Sequence, residues 1–421
     1  MERSFLYRFL FILLLTATSL YLTLRLMPVY FRVDITDNRF HLRHGLEVSD
    51  TDSFTIVQFA DLHFGEQDEK DEKSKRVMQN ILDAEQQAGL VVFSGDQLSS
   101  YKIENSGHVL RQWTRPLTAL PSHIPFATVF GNHDDEAYSA DTLLWYFYVK
   151  WIMVAILIIQ AAACYYSKAR RYIIVPSTVL ISLLWLMMAA YPSTIMRTSL
   201  LHYETAYVKQ HWQGQDGDPS LHGLSNYFLP IKCMNQTALI FFLDSGGGRI
   251  EVRYTDLQLE WVKSVTAGYQ GANAIAFAHI PSIEYEQALK NQNSFRCFGN
   301  QFTEPGDFAS WDHTPPMKSL AAAGVRAVFV GHNHRNSYCC VPRQENLGQP
   351  ALCYGRQTGY GGYGTWEGTT WNKGARIIKL TFKNHTQAEF SIQTWLRMEN
   401  GSKLEFDTLY PFNVTELSVH R

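Results

Sequence analysis

Five times along this chain a short, β-rich apolar run stops abruptly at Asp, His or Asn residues, usually beside a glycine. The runs are Phe54–Ala60, Leu90–Phe93, Phe126–Phe130, Ala274–Ala278 and Val325–Val330. A sixth run, Ala238–Leu243, ends in Asp244-Ser245-Gly246. Each reads as a strand, because apolar β-formers are followed at once by polar or glycine residues. Spaced apolar positions predict helices over Lys70–Ala88, His108–Leu120, Thr255–Ala267 and Met317–Ala323. Strands alternating with helices imply a layered α/β domain. In such a domain, functional groups gather beyond the carboxyl ends of the strands. The stretch from Gly374 to Trp395 reads as two further strands, antiparallel to one another.

The residues at these strand ends are those of metal chemistry. Asp61 and His63 stand at i and i+2, so both side chains leave an extended segment on the same side and can share one ion. In Ser94-Gly95-Asp96 the glycine allows a sharp turn that throws the carboxylate over the sheet edge. Gly131-Asn132-His133-Asp134-Asp135 supplies a neutral oxygen ligand at Asn132 and a proton donor at His133. His279 follows the next strand, and Gly331-His332-Asn333-His334 makes a two-histidine clamp. Taken singly, each has a bland alternative: an Asp-x-His triplet is mostly incidental surface, and a lone histidine is mostly structural. The ordered set argues against chance.

That set resembles the calcineurin-like metallophosphoesterase superfamily, whose pattern is Asp-x-His, Gly-Asp, Gly-Asn-His-Asp/Glu, His and Gly-His-x-His. Phe241-Phe242-Leu243-Asp244-Ser245-Gly246 and Gly331-His332-Asn333-His334-Arg335-Asn336 resemble its purple-acid-phosphatase-related branch, over about residues 52 to 395 apart from an apolar insert. The resemblance implies a four-layer α/β/β/α sandwich. It implies two metal ions, divalent or mixed-valence and drawn from Mn, Fe or Zn. Asp61, His63, Asp96 and His334 would hold one, and Asp96, Asn132, His279 and His332 the other, with Asp96 bridging. The metals would lower the pKa of bound water, and the hydroxide so formed would attack the phosphorus of a phosphate monoester. His133 would be the general acid for the leaving alkoxide or a donor to a phosphoryl oxygen; Asp134 or, equally, Asp135 would orient it, with a solvated loop role as the default for both. A phosphodiesterase of the same superfamily and a catalytically silent membrane-tethered binding protein are the alternatives.

The pattern departs from the true purple enzymes at two places. They carry a tyrosine where this chain has Ser99, and a glycine where it has His63. The tyrosinate-to-iron charge transfer and the purple colour should therefore be missing. Farther along, Gly355–Trp366 is rich in glycine and aromatics and either lines the substrate groove or makes a tight structural loop; Arg356 is the candidate phosphate contact. His123 and His313 stand alone and read as surface or structural residues.

Composition bears on location. Hydrophobic residues make up 46% of the 421 residues and charged residues only 18%. The apolar excess is concentrated in a few segments, which points to membrane contact. The first runs from Phe9 to about Leu24, flanked by Arg3, Arg8 and Arg25, and reads over residues 1–27 as an uncleaved signal anchor or a signal peptide. Residues 28–52 form a polar linker, and 53–421 the catalytic domain, interrupted by an apolar insert at 143–192. In that insert two apolar runs, Leu144 to Tyr166 and Tyr172 to Pro192, flank the basic Ser167-Lys168-Ala169-Arg170-Arg171. They read as a transmembrane hairpin whose loop faces the cytosol, leaving the catalytic domain lumenal or extracellular. A buried insertion and translated non-coding sequence are the competing readings.

Sequons at Asn235, Asn384, Asn400 and Asn413 agree with a secretory route. So do cysteines at 233, 297, 339, 340 and 353, an odd number outside the insert that would leave one unpaired if disulfides form. A formal net charge of −2 gives no global basic field, so nucleic acid is not an expected partner.

Overall fold

The computed structural model describes residues 46–48, 52–103, 112–136, 197, 200, 215–216, 220–233, 236–269, 272–300, 308–364, 372–383 and 389–411. Its strands are, in chain order, β1 Leu46–Val48, β2 Ser53–Phe59, β3 Ala88–Ser94, β4 Phe126–Val129, β5 Tyr227–Cys233, β6 Gln236–Phe242 and β7 Asn273–Phe277. They continue as β8 Phe295–Phe298, β9 Val325–Val330, β10 Cys339–Pro342, β11 Ala351–Tyr354, β12 Gly374–Lys383, β13 Glu389–Met398 and β14 Lys403–Tyr410. The helices are α1 Asp68–Ala84, α2 Asp256–Gly268, α3 Glu284–Lys290 and α4 Pro316–Ala322.

Two sheets result. One runs β14-β13-β12-β2-β3-β4, with β2, β3 and β4 parallel and the C-terminal meander antiparallel. The other runs β1-β5-β6-β7-β9-β11-β10-β8, with β6, β7, β9 and β11 parallel. Alternate residues of each sheet meet in one apolar layer: Phe54, Ile56, Leu90 and Val92 from the first, and Ile240, Phe242, Ile275, Phe277 and Phe329 from the second. The opposite face of the second sheet is covered by α2, α3 and α4 through Leu259, Val262, Tyr285, Met317 and Leu320. On the first sheet, α1 turns Val77, Met78, Ile81 and Leu82 inward. These are the four layers that the sequence pattern implies.

Most expected elements fall within a few residues of their observed bounds. Thr255 is not the first helical residue of α2 but its N-cap, closing a capping box with Gln258. In the region of the expected His108–Leu120 helix, residues 112–114 are α-helical and Pro116–Ala119 form a short 3-10 turn. The linker expected over 28–52 contributes strand β1, which pairs in parallel with Ile231–Cys233 of β5. A third C-terminal strand, β14, joins the two that the sequence suggests. The apolar segments at 1–27 and 143–192 lie outside the described residues, and among the described residues no helix is long and apolar enough to cross a membrane.

Two disulfides stitch one end of the second sheet. Cys339 and Cys340 are adjacent on β10, so their side chains leave on opposite faces. Cys339 joins Cys353 of β11, directly opposite it, on the inter-sheet side; Cys340 joins Cys297 of β8 on the helix side. Cys233 is buried and belongs to neither disulfide, and Cys164 lies outside the described residues.

Arg197 is buried, and all three nitrogens of its guanidinium donate hydrogen bonds. Its guanidinium donates to Asp135 (3.1 Å), to Asp244, and to the carbonyls of Gly131 (2.9 Å), Gly246 (3.2 Å) and Gly247 (2.9 Å). One side chain thus ties the loop after β4 to the loop after β6. Removing a partner from a buried ion cluster leaves uncompensated charge, at a typical cost of roughly 3–5 kcal/mol. Arg197→Met should therefore lower unfolding stability by about that amount, read as a shifted urea midpoint; an unchanged midpoint would contradict this role for Arg197.

Candidate metal centre

All the sequence-derived ligands sit where parallel strands end. Asp61 and His63 follow β2, Asp96 follows β3, and Asn132 and His133 follow β4 in the first sheet. His279 follows β7, and His332 and His334 follow β9 in the second. Each chain must turn back over its sheet edge to present these groups. Asp61, His63, Asp96 and His332 therefore adopt left-handed backbone (φ 55°, 51°, 52° and 74°), which non-glycine residues seldom hold. Such conformations persist where surrounding structure over-determines them, as it does at functional sites. Gly131 is required for a different reason: a Cβ there would lie 2.2 Å from Asp96 Oδ1 and 2.3 Å from Asp96 N.

The result is two overlapping clusters. Ligand atoms of Asp61, His63, Asp96 and His334 lie within 4.8 Å of one another, as do those of Asp96, His279 and His332. Asp96 belongs to both. Asn132 Oδ1 completes the second, 3.0 Å from His332 Nδ1 and 3.1 Å from His279 Nε2. The structure thus brings together the seven residues that the resemblance singles out, with Asp96 common to both groups.

The donors fit cations on a specific observation. His334 Nδ1 lies 2.7 Å from the carbonyl of Tyr363, which can only accept, and 2.9 Å from Gln357 Nε2, whose two hydrogens have the carbonyls of Gly361 (3.1 Å) and Tyr363 (3.3 Å) as acceptors; with those bonds made, His334 Nδ1 carries the ring proton. His63 Nδ1 lies 2.9 Å from Ser99 Oγ, whose own proton goes to Glu66 Oε1 at 3.0 Å. Both Nε2 atoms are therefore lone pairs, and they face each other at 3.0 Å. Two acceptors cannot bond to one another; a cation between them resolves the conflict. Asp61 and Asp96, nearly fully buried beside them, supply matching negative charge.

Electrostatics separate the roles within the clusters. Burial lowers His63 to about 4 and His332 to about 3, and puts His334 well below its ordinary value, so all three are neutral ligands at physiological pH. Burial acts the same way on His279, but the Asp96 carboxylate 3.2 Å from its Nε2 holds it up at about 9. Burial pushes Asp61 up to about 7. Asp96 stays well below the usual carboxylate range, because His279, His133 and His63 outweigh the effect of its burial.

His133 stands at the mouth, its side chain 26% exposed and its ring centroid 5.2 Å from that of His63. Its backbone N–H donates to Asp96 Oδ1 at 2.8 Å. Burial pulls its pKa down, yet Asp96 and Glu136 raise it to about 9, which suits a proton donor. The residue that orients it corrects the expectation from sequence. Asp134 does not touch the His133 ring: it is fully buried and accepts from the N–H groups of Gly131 (2.7 Å), Leu98 (2.9 Å) and Asp96 (3.1 Å). Asp134 organises the loops after β3 and β4. Asp135 is committed to Arg197, and Glu136 is the carboxylate on His133 Nδ1. In a run of three acidic residues, sequence alone gives no means of choosing among them.

Arg356 is not part of this constellation. It is 4% exposed and donates through Nε (3.1 Å) and Nη2 (2.6 Å) to the carbonyl of Asn372. The glycine-rich stretch around it does approach the metal cluster. A Cβ on Gly362 would lie 2.6 Å from His334 Cε1 and 2.8 Å from His63 Cδ2. Tyr363 stacks on the His334 ring, with centroids 3.9 Å apart. Gln357 Nε2 lies 2.9 Å from His334 Nδ1 and takes Lys373 on its other end. His313 is exposed and pairs with Asp256, as a surface residue would.

Comparison with known proteins agrees with this geometry. A family profile described as calcineurin-like phosphoesterase matches residues 54–179. The probable inactive purple acid phosphatase 28 of Arabidopsis thaliana is 23% identical, over 93% of this chain and 96% of its own length. The probable inactive purple acid phosphatase 29 of the same plant is 22% identical, over 85% of each. Phosphatase DCR2 of Saccharomyces cerevisiae is 27% identical over 86% of this chain, which spans 56% of that protein. With its candidate ligands gathered in two overlapping clusters at the strand ends, this chain is similar to the calcineurin-like phosphoesterases and, among them, to proteins of the purple-acid-phosphatase-related branch.

Proposed function

We propose that this protein is a two-metal hydrolase of phosphate monoesters. The observation that carries the reading is the convergence of Asp61, His63, Asp96, Asn132, His279, His332 and His334 at one junction of two sheets, with Asp96 common to both clusters. Some relatives are named as probably inactive; the full ligand set here supports activity in this chain. A bound cation pair would supply Lewis acidity toward a phosphoryl oxygen and an activated water, with Mn, Fe and Zn all compatible with the mixed O and N donors. The protein's part is separate. Asp96, common to both clusters, would offset the mutual repulsion of two cations held there. Asn132 adds an oxygen donor without adding charge. His133, held by Glu136 and by its own N–H on Asp96, stands ready to give a proton to the leaving alkoxide.

The setting proposed with this activity is the lumenal or extracellular side of a secretory membrane, reached through the apolar segments at 1–27 and 143–192. Two disulfides support an oxidising compartment. The sequon at Asn400 lies exposed in the β13–β14 turn, its Oδ1 accepting from Ser402 Oγ at 2.7 Å. Protein from a secretory host should lose mass on N-glycosidase treatment and stay with membranes through alkaline carbonate; a soluble, unglycosylated product would sink this assignment.

Activity is tested by elemental analysis together with turnover of p-nitrophenyl phosphate and its bis ester. Wild type should carry two metal ions and prefer the monoester. Preference for the bis ester would make it a diesterase, and absence of both metal and turnover would make it a binding protein. His133→Ala should keep its metal and lose roughly 10²–10⁴-fold in kcat. Asp96→Asn should instead lose metal.

A further inference from the structure

The cluster that holds His63 rests on residues that the reaction itself does not use. Ser99 Oγ lies 2.9 Å from His63 Nδ1 and 3.0 Å from Glu66 Oε1. The same Glu66 oxygen accepts from Gly362 N at 3.1 Å, and the other accepts from Lys70 Nζ at 3.1 Å. One carboxylate therefore gathers three loops: its own after β2, the Ser99 loop after β3, and the glycine loop after β11. The last of these packs directly on both His63 and His334.

Resting on the two-metal reading above, we propose that Glu66 and Ser99 are positioning residues that select the ring tautomer of His63 and so aim its Nε2 lone pair at the metal. The argument is one of donors and acceptors. A neutral imidazole offers a lone pair at only one nitrogen. A hydroxyl can donate or accept, so Ser99 by itself would satisfy either tautomer of His63. Glu66 can only accept. It takes the Ser99 proton, and Ser99 must then accept from His63 Nδ1–H. The lone pair is left at Nε2, which faces His334 Nε2 at 3.0 Å and Asp96 Oδ2 at 3.6 Å. Partners behind a metal-binding histidine commonly fix its tautomer and raise its basicity. Here the carboxylate acts through one intervening hydroxyl rather than directly. His334 needs no such relay, because the Tyr363 carbonyl accepts from its Nδ1 directly.

The relay also accounts for two departures from the purple-enzyme pattern together. A serine at 99 has no reach to a metal, but it is the right length to bond a histidine at 63. Ser99 is fully buried and His63 nearly so, and among the described residues Ser99 Oγ is the side-chain partner of His63 Nδ1.

The test is Mn²⁺ titration calorimetry on metal-stripped full-length protein, with urea unfolding of the same metal-free samples. Wild type should bind two Mn²⁺. Ser99→Ala and Glu66→Ala should weaken one of the two sites by roughly 10- to 100-fold, leave the other unchanged, and unfold at the wild-type midpoint when metal-free. Glu66→Gln keeps an oxygen that can accept from Ser99 and Gly362, so it should restore most of the affinity. Wild-type affinity at both sites in Ser99→Ala and Glu66→Ala would overturn the proposal. So would a loss spread over both sites, or one matched by loss of metal-free stability, since either marks a general brace. Should Ser99→Ala not fold, the less buried Glu66→Ala decides. A wild type that binds no Mn²⁺, Fe²⁺ or Zn²⁺ would instead overturn the two-metal reading itself.

Discussion

His63 Nε2 and His334 Nε2 stand 3.0 Å apart with both ring protons committed to partners on the far sides. Protonating either ring would relieve that opposition, but burial disfavours the charged imidazolium at both. The same corner holds Asp61 and Asp96 out of water, where unpaired charge is costly. A fold does not assemble such a corner for its own stability. The arrangement is an unfavourable interaction built into the protein, and a cation removes it. The surrounding architecture can be understood as what keeps these groups from moving apart.

Much of that restraint comes from the two sheets. β2, β3 and β4 deliver their groups from one sheet, β7 and β9 from the other, and the apolar layer between them fixes the spacing. The loops then need their own restraint, since four ligand-bearing residues hold left-handed backbone. Buried charge supplies it. Asp134 gathers three N–H groups from the loops after β3 and β4. Arg197 fastens the loop after β4 to that after β6, and Glu66 fastens those after β2, β3 and β11. Charged groups that never meet the substrate thus decide where the ligands stand.

The ligand set itself was legible because each member follows a strand that can be read from its apolar run. Strand ends are local, and so are Asp-x-His and Gly-Asn-His. What was not legible depends on contacts between distant segments. Glu136, not Asp134, holds His133, and three consecutive carboxylates carry no mark of which one folds back. Ser99 stood out only as a missing tyrosine; its bond to a histidine 36 residues earlier needs two loops to meet. Arg356 looked like a phosphate contact because it lies in a glycine-rich stretch near the site. The stretch does reach the site, through Gly362 and Tyr363, while the arginine is drawn to a backbone carbonyl. Short or edge strands such as β1 and β14 were missed because they depend on a neighbouring strand rather than on their own apolar runs.

The departures from the purple pattern bear on what the centre can do. A tyrosinate ligand brings a full negative charge to its metal. His63 brings none, and with Ser99 behind it the donor is a neutral imidazole. The cluster of Asp61, His63, Asp96 and His334 therefore carries one negative charge fewer than its purple counterpart would. Less ligand charge favours a divalent ion over a trivalent one, and the two changes offset each other in the net charge of the site. It also removes the residue on which the purple colour depends. The substitution is thus an exchange of charge as well as of ligand, with the donor residue at the strand end after β2 rather than at the one after β3.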